Sequence, residues 1–293
     1  MKIFLTGGSG FIGRNIVESY LAAQYTFYAP SHKDLDLLDE AAVRTFFRTH
    51  DIDVVIHGAV RPGHRNAVDP TGQLYQNTRM YFNIARNADR FHKMIYIGSG
   101  LVYDVRHYLP KMKEEYFDTH VPADEGGFSK YIIARHIEQA ENIVELRIFG
   151  IYGKYEDYAI RFISNAICKT LFDLPITIRQ NRIFDYIFID DLMPVLEYFI
   201  NNKGQYRCYN VTPDRSVELK QLAEIVRTVS GKDLPVGISQ HGMGAEYSGD
   251  NGRLRSEMPL LRLTSHEDAI RKLAGWYKDN KHAVNREALL VDK

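Results

Sequence analysis

Ile3-Phe4-Leu5-Thr6-Gly7-Gly8-Ser9-Gly10-Phe11-Ile12-Gly13 is the stretch on which the fold turns. A short apolar run stops at glycines, and Ile12, Ile16, Val17, Tyr20 and Leu21 then recur at helical spacing. This is a buried strand, a tight turn and the start of a helix. In such a turn Gly7 permits the sharp reversal, Gly10 lets backbone approach a pyrophosphate, and Gly13 lets the helix pack closely on the strand. The amides of Phe11 and Ile12 belong to the first turn, where the helix dipole favours an anion. A glycine pattern alone is weak, but at a strand-to-helix turn it is specific for a dinucleotide cradle.

Working outward, the same alternation continues. Strands are expected at Thr26 to Ala29, Val54 to Ile56, Met94 to Ile97 and Val144 to Phe149, and helices at Ala41 to Arg48, Tyr75 to Ala88 and Phe128 to Glu138. Short apolar runs separated by helices imply an α/β fold with a doubly wound parallel sheet of Rossmann type. Right-handed crossovers leave few other topologies. Beyond Gly150 the rhythm changes. Tyr158 to Leu171, Leu192 to Ile200 and Val217 to Val229 read as helices, Ile176 to Ile178 and Phe184 to Ile189 as strands, and the glycine-rich Gly242 to Arg255 as a loop. The expected division is a dinucleotide domain over 1–150, to which 183–200 returns, and a smaller mixed α/β lobe over 151–293.

The composition agrees with a soluble chain of two domains or one elaborated one. The 293 residues, at roughly 150 per domain, can bury a sizeable core. Lys+Arg and Asp+Glu both number 37, so no net charge recruits nucleic acid or an anionic membrane. Two cysteines, Cys168 and Cys208, make no disulfide framework, and no apolar run resembles a signal peptide or a membrane span. A reducing, cytoplasmic setting is the expectation. The eleven histidines show no metal-ligand spacing, so no metal is expected.

The spacing Thr6-Gly7-x-x-Gly10-x-x-Gly13 resembles the extended short-chain dehydrogenase/reductase family, whose members act mainly on nucleotide sugars. Further segments resemble it in order: His57-Gly58-Ala59, Asn77, Gly98-Ser99-Gly100-Leu101-Val102-Tyr103, Arg147 to Gly153, Phe184 to Leu192 and Tyr209-Asn210-Val211. The resemblance implies that His57 and Ala59 lie beside the cofactor and that Asn77 stands behind the active site. It makes Ser99 the catalytic hydroxyl and Lys130 the lysine that holds the nicotinamide ribose. The second strand ends in Ala29-Pro30-Ser31-His32-Lys33, with no carboxylate until Asp34. Ser31, His32 and Lys33 could hold a 2′-phosphate, so NADP(H) is favoured and NAD(H) remains open. Asp36 and Leu37 resemble the family's adenine edge, although Asp36 and Asp39 also read as caps of a following helix.

One departure bears on the chemistry. The family places a Tyr four residues before the Lys, on one helix face, to move a proton to or from the sugar. Here Ser129 and Lys130 are present, but the Tyr position is Gly126. Tyr103, Tyr116 and Tyr131 each read better as structural residues than as its replacement. Loss of a positioned acid-base group removes about 10²–10⁴-fold in rate. The 4,6-dehydratases' Asp-Glu pair is Gly100-Leu101 here, and the Cys of GDP-fucose synthase-like members, near Leu101, is absent. That leaves a 4-keto reductase, favoured, or a 4-epimerase.

For the substrate, Tyr103 and Gly150 occupy family substrate positions, and Arg161, Arg182 and Arg253 are the expected diphosphate partners. Gly150 replaces the family's substrate-facing Asn. The alternative reading is an inactive dinucleotide-binding or sensing protein on the same scaffold. Relatives dimerise through the helices equivalent to Tyr75–Ala88 and Phe128–Glu138, so a homodimer is expected.

Overall fold

A computed structural model describes residues 1–63 and 71–290. Its centre is a six-stranded parallel sheet in the order β2-β1-β3-β4-β5-β10. The strands are β1 (Lys2–Thr6), β2 (Thr26–Tyr28), β3 (Val54–His57), β4 (Lys93–Ser99), β5 (Ile143–Ile148) and β10 (Cys208–Val211). Between them run α1 (Phe11–Val17), α2 (Leu21–Gln24), α3 (Glu40–Thr49), α4 (Gln73–Ala85) and α5 (Glu125–Gln139). Central strands such as β3 are buried along their whole length, because helices cover both faces. The strand order reverses between β1 and β3, which opens a crevice at their carboxyl ends. Thr6, His57 and Ser99 are the last residues of three neighbouring strands, and all three stand at this edge.

The rest of the chain builds β6 (Ile151–Tyr152), α6 (Phe162–Leu171), β7 (Ile176–Asn181), β8 (Ile183–Phe184), β9 (Ile187–Phe188) and α7 (Leu192–Asn201). After β10 come β11 (Val217–Glu218), α8 (Leu219–Ser230), β12 (Val236–Met243), α9 (Gly252–Glu257) and α10 (His266–Asp279). Three two-stranded sheets, β11-β8, β12-β7 and β6-β9, lie outside the main one. One large core continues from the sheet's apolar face through α6, α7, α8 and α10. No helix among the described residues is long and apolar enough to cross a membrane.

Several local outcomes differ from the expectations, each for a visible reason. The first helix breaks after Val17, where Ser19 Oγ accepts the Leu21 amide and donates to the Ile16 carbonyl. Phe184 to Ile189 is not one strand. Asp185, fully buried, accepts from the Gly249 amide at 2.9 Å and faces Lys111 Nζ at 3.3 Å, which parts β8 from β9. The helix expected from Val217 begins at Leu219, because Glu218 and Gln221 form a reciprocal capping box. The stretch Gly242 to Arg255 contains α9 rather than loop alone. Within 183–200, α7 packs on the main sheet, and Lys93 Nζ of β4 reaches its terminal carbonyls at Phe199 and Asn202. The edge strand β10 comes from inside the stretch expected to be the second lobe.

Candidate active site

The glycine turn is shaped by close approach. Gly7 has φ +75°, and a Cβ there would stand 2.9 Å from the Ala59 amide nitrogen. A Cβ on Gly13 would stand 2.1 Å from the Gly7 carbonyl oxygen, so only glycine lets α1 sit on the turn. Gly10 meets nothing nearer than that carbonyl at 3.3 Å, and no side chain caps α1. Backbone therefore faces open space, and this cradle fits the pyrophosphate of a dinucleotide.

Behind the cradle, Thr6 Oγ1 accepts from the Gly58 and Ala59 amides at 3.2 and 3.1 Å. Its own proton therefore goes to His57 Nδ1, 2.7 Å away. Burial, with Lys130's charge nearby, lowers the His57 pKa to about 3, so the imidazole is neutral. At the end of β2, Ser31 donates to Asp34 Oδ2 at 2.6 Å, while His32 and Lys33 are exposed. Asp36 accepts from the Leu38 amide, and Asp39 caps α3 through the Ala41 and Ala42 amides. The Leu37 carbonyl accepts from Asn83.

The candidate catalytic residues come from the end of β4 and from α5. Ser99 Oγ accepts the Leu101 amide at 3.0 Å. Lys130 lies over the Tyr96 ring, 5.8 Å from its centroid. Burial pushes its amine below the ordinary lysine range, and the Glu145 carboxylate pulls it back up. Asn77 Oδ1 accepts the Arg61 amide at 2.7 Å, and Ser129 Oγ donates to the Gly126 carbonyl at 2.8 Å. Asn77 Nδ2 also approaches Ser129 Oγ at 3.4 Å, linking α4 to α5. At the start of α5, Asp124 caps the Gly127 amide. A Cβ on Gly126 would meet the end of the Gln73 side chain at 2.9 Å, a contact that can swing away.

The substrate side is less uniform. Tyr103 is 3% exposed, and its hydroxyl is taken up by Arg147 at 2.9 Å and Asn210 at 3.0 Å, so it supports the edge from beneath. Gly150 cannot stand in for a substrate-facing Asn. A Cβ there would lie 2.3 Å from the Asp185 carbonyl oxygen. Arg253 is turned away from the crevice, paired with Glu115 at 2.8 Å and stacked over Tyr206. Arg161 and Arg182 behave differently. Their charges lower the otherwise raised pKa of the buried Tyr186 phenol, and Arg161 does the same for Tyr247.

A sequence comparison decides the lineage of this arrangement: the "NAD dependent epimerase/dehydratase family" matches residues 3–212. The chain belongs to that family. Among relatives in the epimerase/dehydratase family, GDP-L-colitose synthase of Yersinia pseudotuberculosis is 24% identical, over 96% of this chain and 99% of that protein. ADP-L-glycero-D-manno-heptose-6-epimerase of Brachyspira hyodysenteriae is 26% identical, over 94% of this chain and 99% of that protein. The fold is also that of a solved GDP-mannoheptose C4 reductase from Campylobacter jejuni with NADP bound. That structure has a TM-score of 0.81 and 21% identity, covering 94% of this chain and 98% of that one.

Against the epimerase/dehydratase pattern, three residues escaped sequence reasoning. Glu145 is fully buried; its Oε2 accepts from Arg147 Nε at 2.8 Å and its Oε1 has no partner. It was visible, with Arg147, as one of two charges inside an otherwise apolar strand. Tyr108 and Tyr247 come from irregular segments whose sequence carries no periodicity, and no local signal marks them.

Proposed function

We propose that this member of the epimerase/dehydratase family reduces a 4-keto sugar carried on a nucleoside diphosphate, with NADP(H) as its dinucleotide and NAD(H) open. The observation that carries the reading is the placement of the Gly7–Gly13 cradle and Ser99 along one carboxyl edge of the sheet, with Lys130 of α5 lying over Tyr96 of the same strand as Ser99. When bound, the nicotinamide supplies the hydride of such a reaction. Ser99 polarises the sugar oxygen, Lys130 holds the ribose, and Arg161 and Arg182 face the diphosphate. Exposed Lys33 and His32, which follow β2, favour a 2′-phosphate. The C. jejuni C4 reductase was solved with NADP bound, which supports the same choice. The residues after 150, apart from β10 and α7, form the lobe over the sugar, and two copies associate through α4 and α5.

The test is oxidation of NADPH by the purified protein across GDP-, ADP- and UDP-linked 4-keto sugars. Turnover with one of them and not with its 4-hydroxy counterpart is expected. Tight dinucleotide binding with no turnover on any sugar would overturn the reductase and favour the binding protein that Gly126 raises.

A further inference from the structure

The phenol absent at position 126 has a counterpart elsewhere. Tyr247 lies in the glycine-rich stretch between β12 and α9. Its amide donates to the Ile183 carbonyl at 3.0 Å and its carbonyl accepts from Asp185 at 3.1 Å, so its backbone is held against β8. Its ring packs among Phe149, Phe184 and Tyr108, with centroids 4.9, 5.0 and 5.1 Å away. Its hydroxyl oxygen stands against Gly100, the residue that follows Ser99. A Cβ on Gly100 would stand 2.7 Å from that oxygen, so the glycine after Ser99 is what admits the phenol.

We propose that Tyr247 is the proton donor of the reaction, reaching the catalytic edge from the far lobe instead of from α5. The inference rests on the reductase reading. In the step, the Tyr247 O–H bond breaks and its proton goes to the sugar's C4 oxygen, which Ser99 also holds. The same carbon takes a hydride from the reduced nicotinamide dinucleotide. The ketone is reduced to an alcohol, the dinucleotide is oxidised, and the phenolate recovers a proton from water. Burial raises the Tyr247 pKa to about 12, with Ser99, Tyr108 and Arg161 drawing it down. A phenol protonated throughout the neutral range suits a donor better than the base that oxidation of a sugar hydroxyl needs first. Competing tyrosines are engaged: Tyr108 gives its proton to the Gly100 carbonyl, and Tyr131 gives its own to Asp118.

The experiment compares the full protein with Tyr247→Phe, which keeps the ring and the backbone contacts. Turnover should fall about 10²–10⁴-fold, with the affinity for NADPH unchanged. A second readout needs no turnover. With NADP⁺ bound, calorimetry compares a nucleotide sugar bearing its 4-hydroxyl with the 4-deoxy analogue. The unsubstituted protein should prefer the hydroxyl by about two- to tenfold, one neutral hydrogen bond, and Tyr247→Phe should lose most of that preference. The double variant Tyr247→Phe/Gly126→Tyr should regain turnover. Retained rate, or retained preference for the 4-hydroxyl, in Tyr247→Phe would overturn the assignment and leave the reductase standing. If neither sugar binds, the nucleotide-sugar reading fails, and the donor role falls with it.

Discussion

His57 shows how a single buried group sets the protein's response to acid. It is 1% exposed, accepts the Thr6 proton, and has its pKa lowered from 6.5 to about 3. Between those two values the unfolded chain binds a proton that the folded chain refuses. Folding stability therefore falls as pH drops through this window, by up to ~1.4 kcal/mol per pH unit from this residue. The loss is complete only below about pH 3, where both states are protonated. Urea titrations at successive pH values should show that slope, and His57→Asn should flatten it. An unchanged slope in the variant would assign the acid sensitivity to other groups. Gly126 belongs to the same scale. What its sequence position discloses is only an absence, because a missing phenol says nothing about where another one lies.

At the scale of the element, β5 carries the most consequential side chains. Glu145 and Arg147 lie side by side within the sheet layer, and Arg147 continues through Tyr103 to Asn210 of β10. Gly98 of β4 leaves the space, since a Cβ there would stand 2.4 Å from Glu145 Oε1. Removing one partner strands a charge in a dry interior. Arg147→Met should destabilise the fold by about 3–5 kcal/mol, and the paired Glu145→Met/Arg147→Met variant should recover much of that loss. Chemical denaturation of the three proteins measures both. A double variant as unstable as the single one would show that packing, not charge, dominates there. This strand also explains what the sequence disclosed. The glycine turn and the alternating strands and helices, with Ser99 at a strand end and Lys130 on a helix, were legible, because each is specified by residues within a few turns of one another. The edge strand β10 and the position of Tyr247 were not. Four apolar and polar residues cannot announce a parallel partner, and the Tyr247 backbone is placed by pairing with β8, far away along the chain. Arg253 departs from expectation for a related reason: a lone arginine does not reveal that Glu114 and Glu115 await it.

For the whole molecule, the exposed side of α4 and α5 predicts assembly. The two helices pack side by side, and Tyr75 on α4 is 66% exposed beside Thr78, Arg79 and Ile132. A large exposed aromatic is a typical interface anchor. Light scattering should report a dimer, and Tyr75→Glu should weaken it by about tenfold or more, with the dinucleotide affinity unaltered. A monomeric unsubstituted protein would overturn this. The order in which the chain visits its sheet has another effect, felt while the protein is being made. Strand β5 is finished long before β10, which closes its open side, leaves the ribosome. At about 5–20 residues per second the wait lasts several seconds. Through that interval the nascent chain presents a bare row of amides and carbonyls, the kind of edge to which other chains adhere. Slower decoding between the two strands would lengthen that exposure.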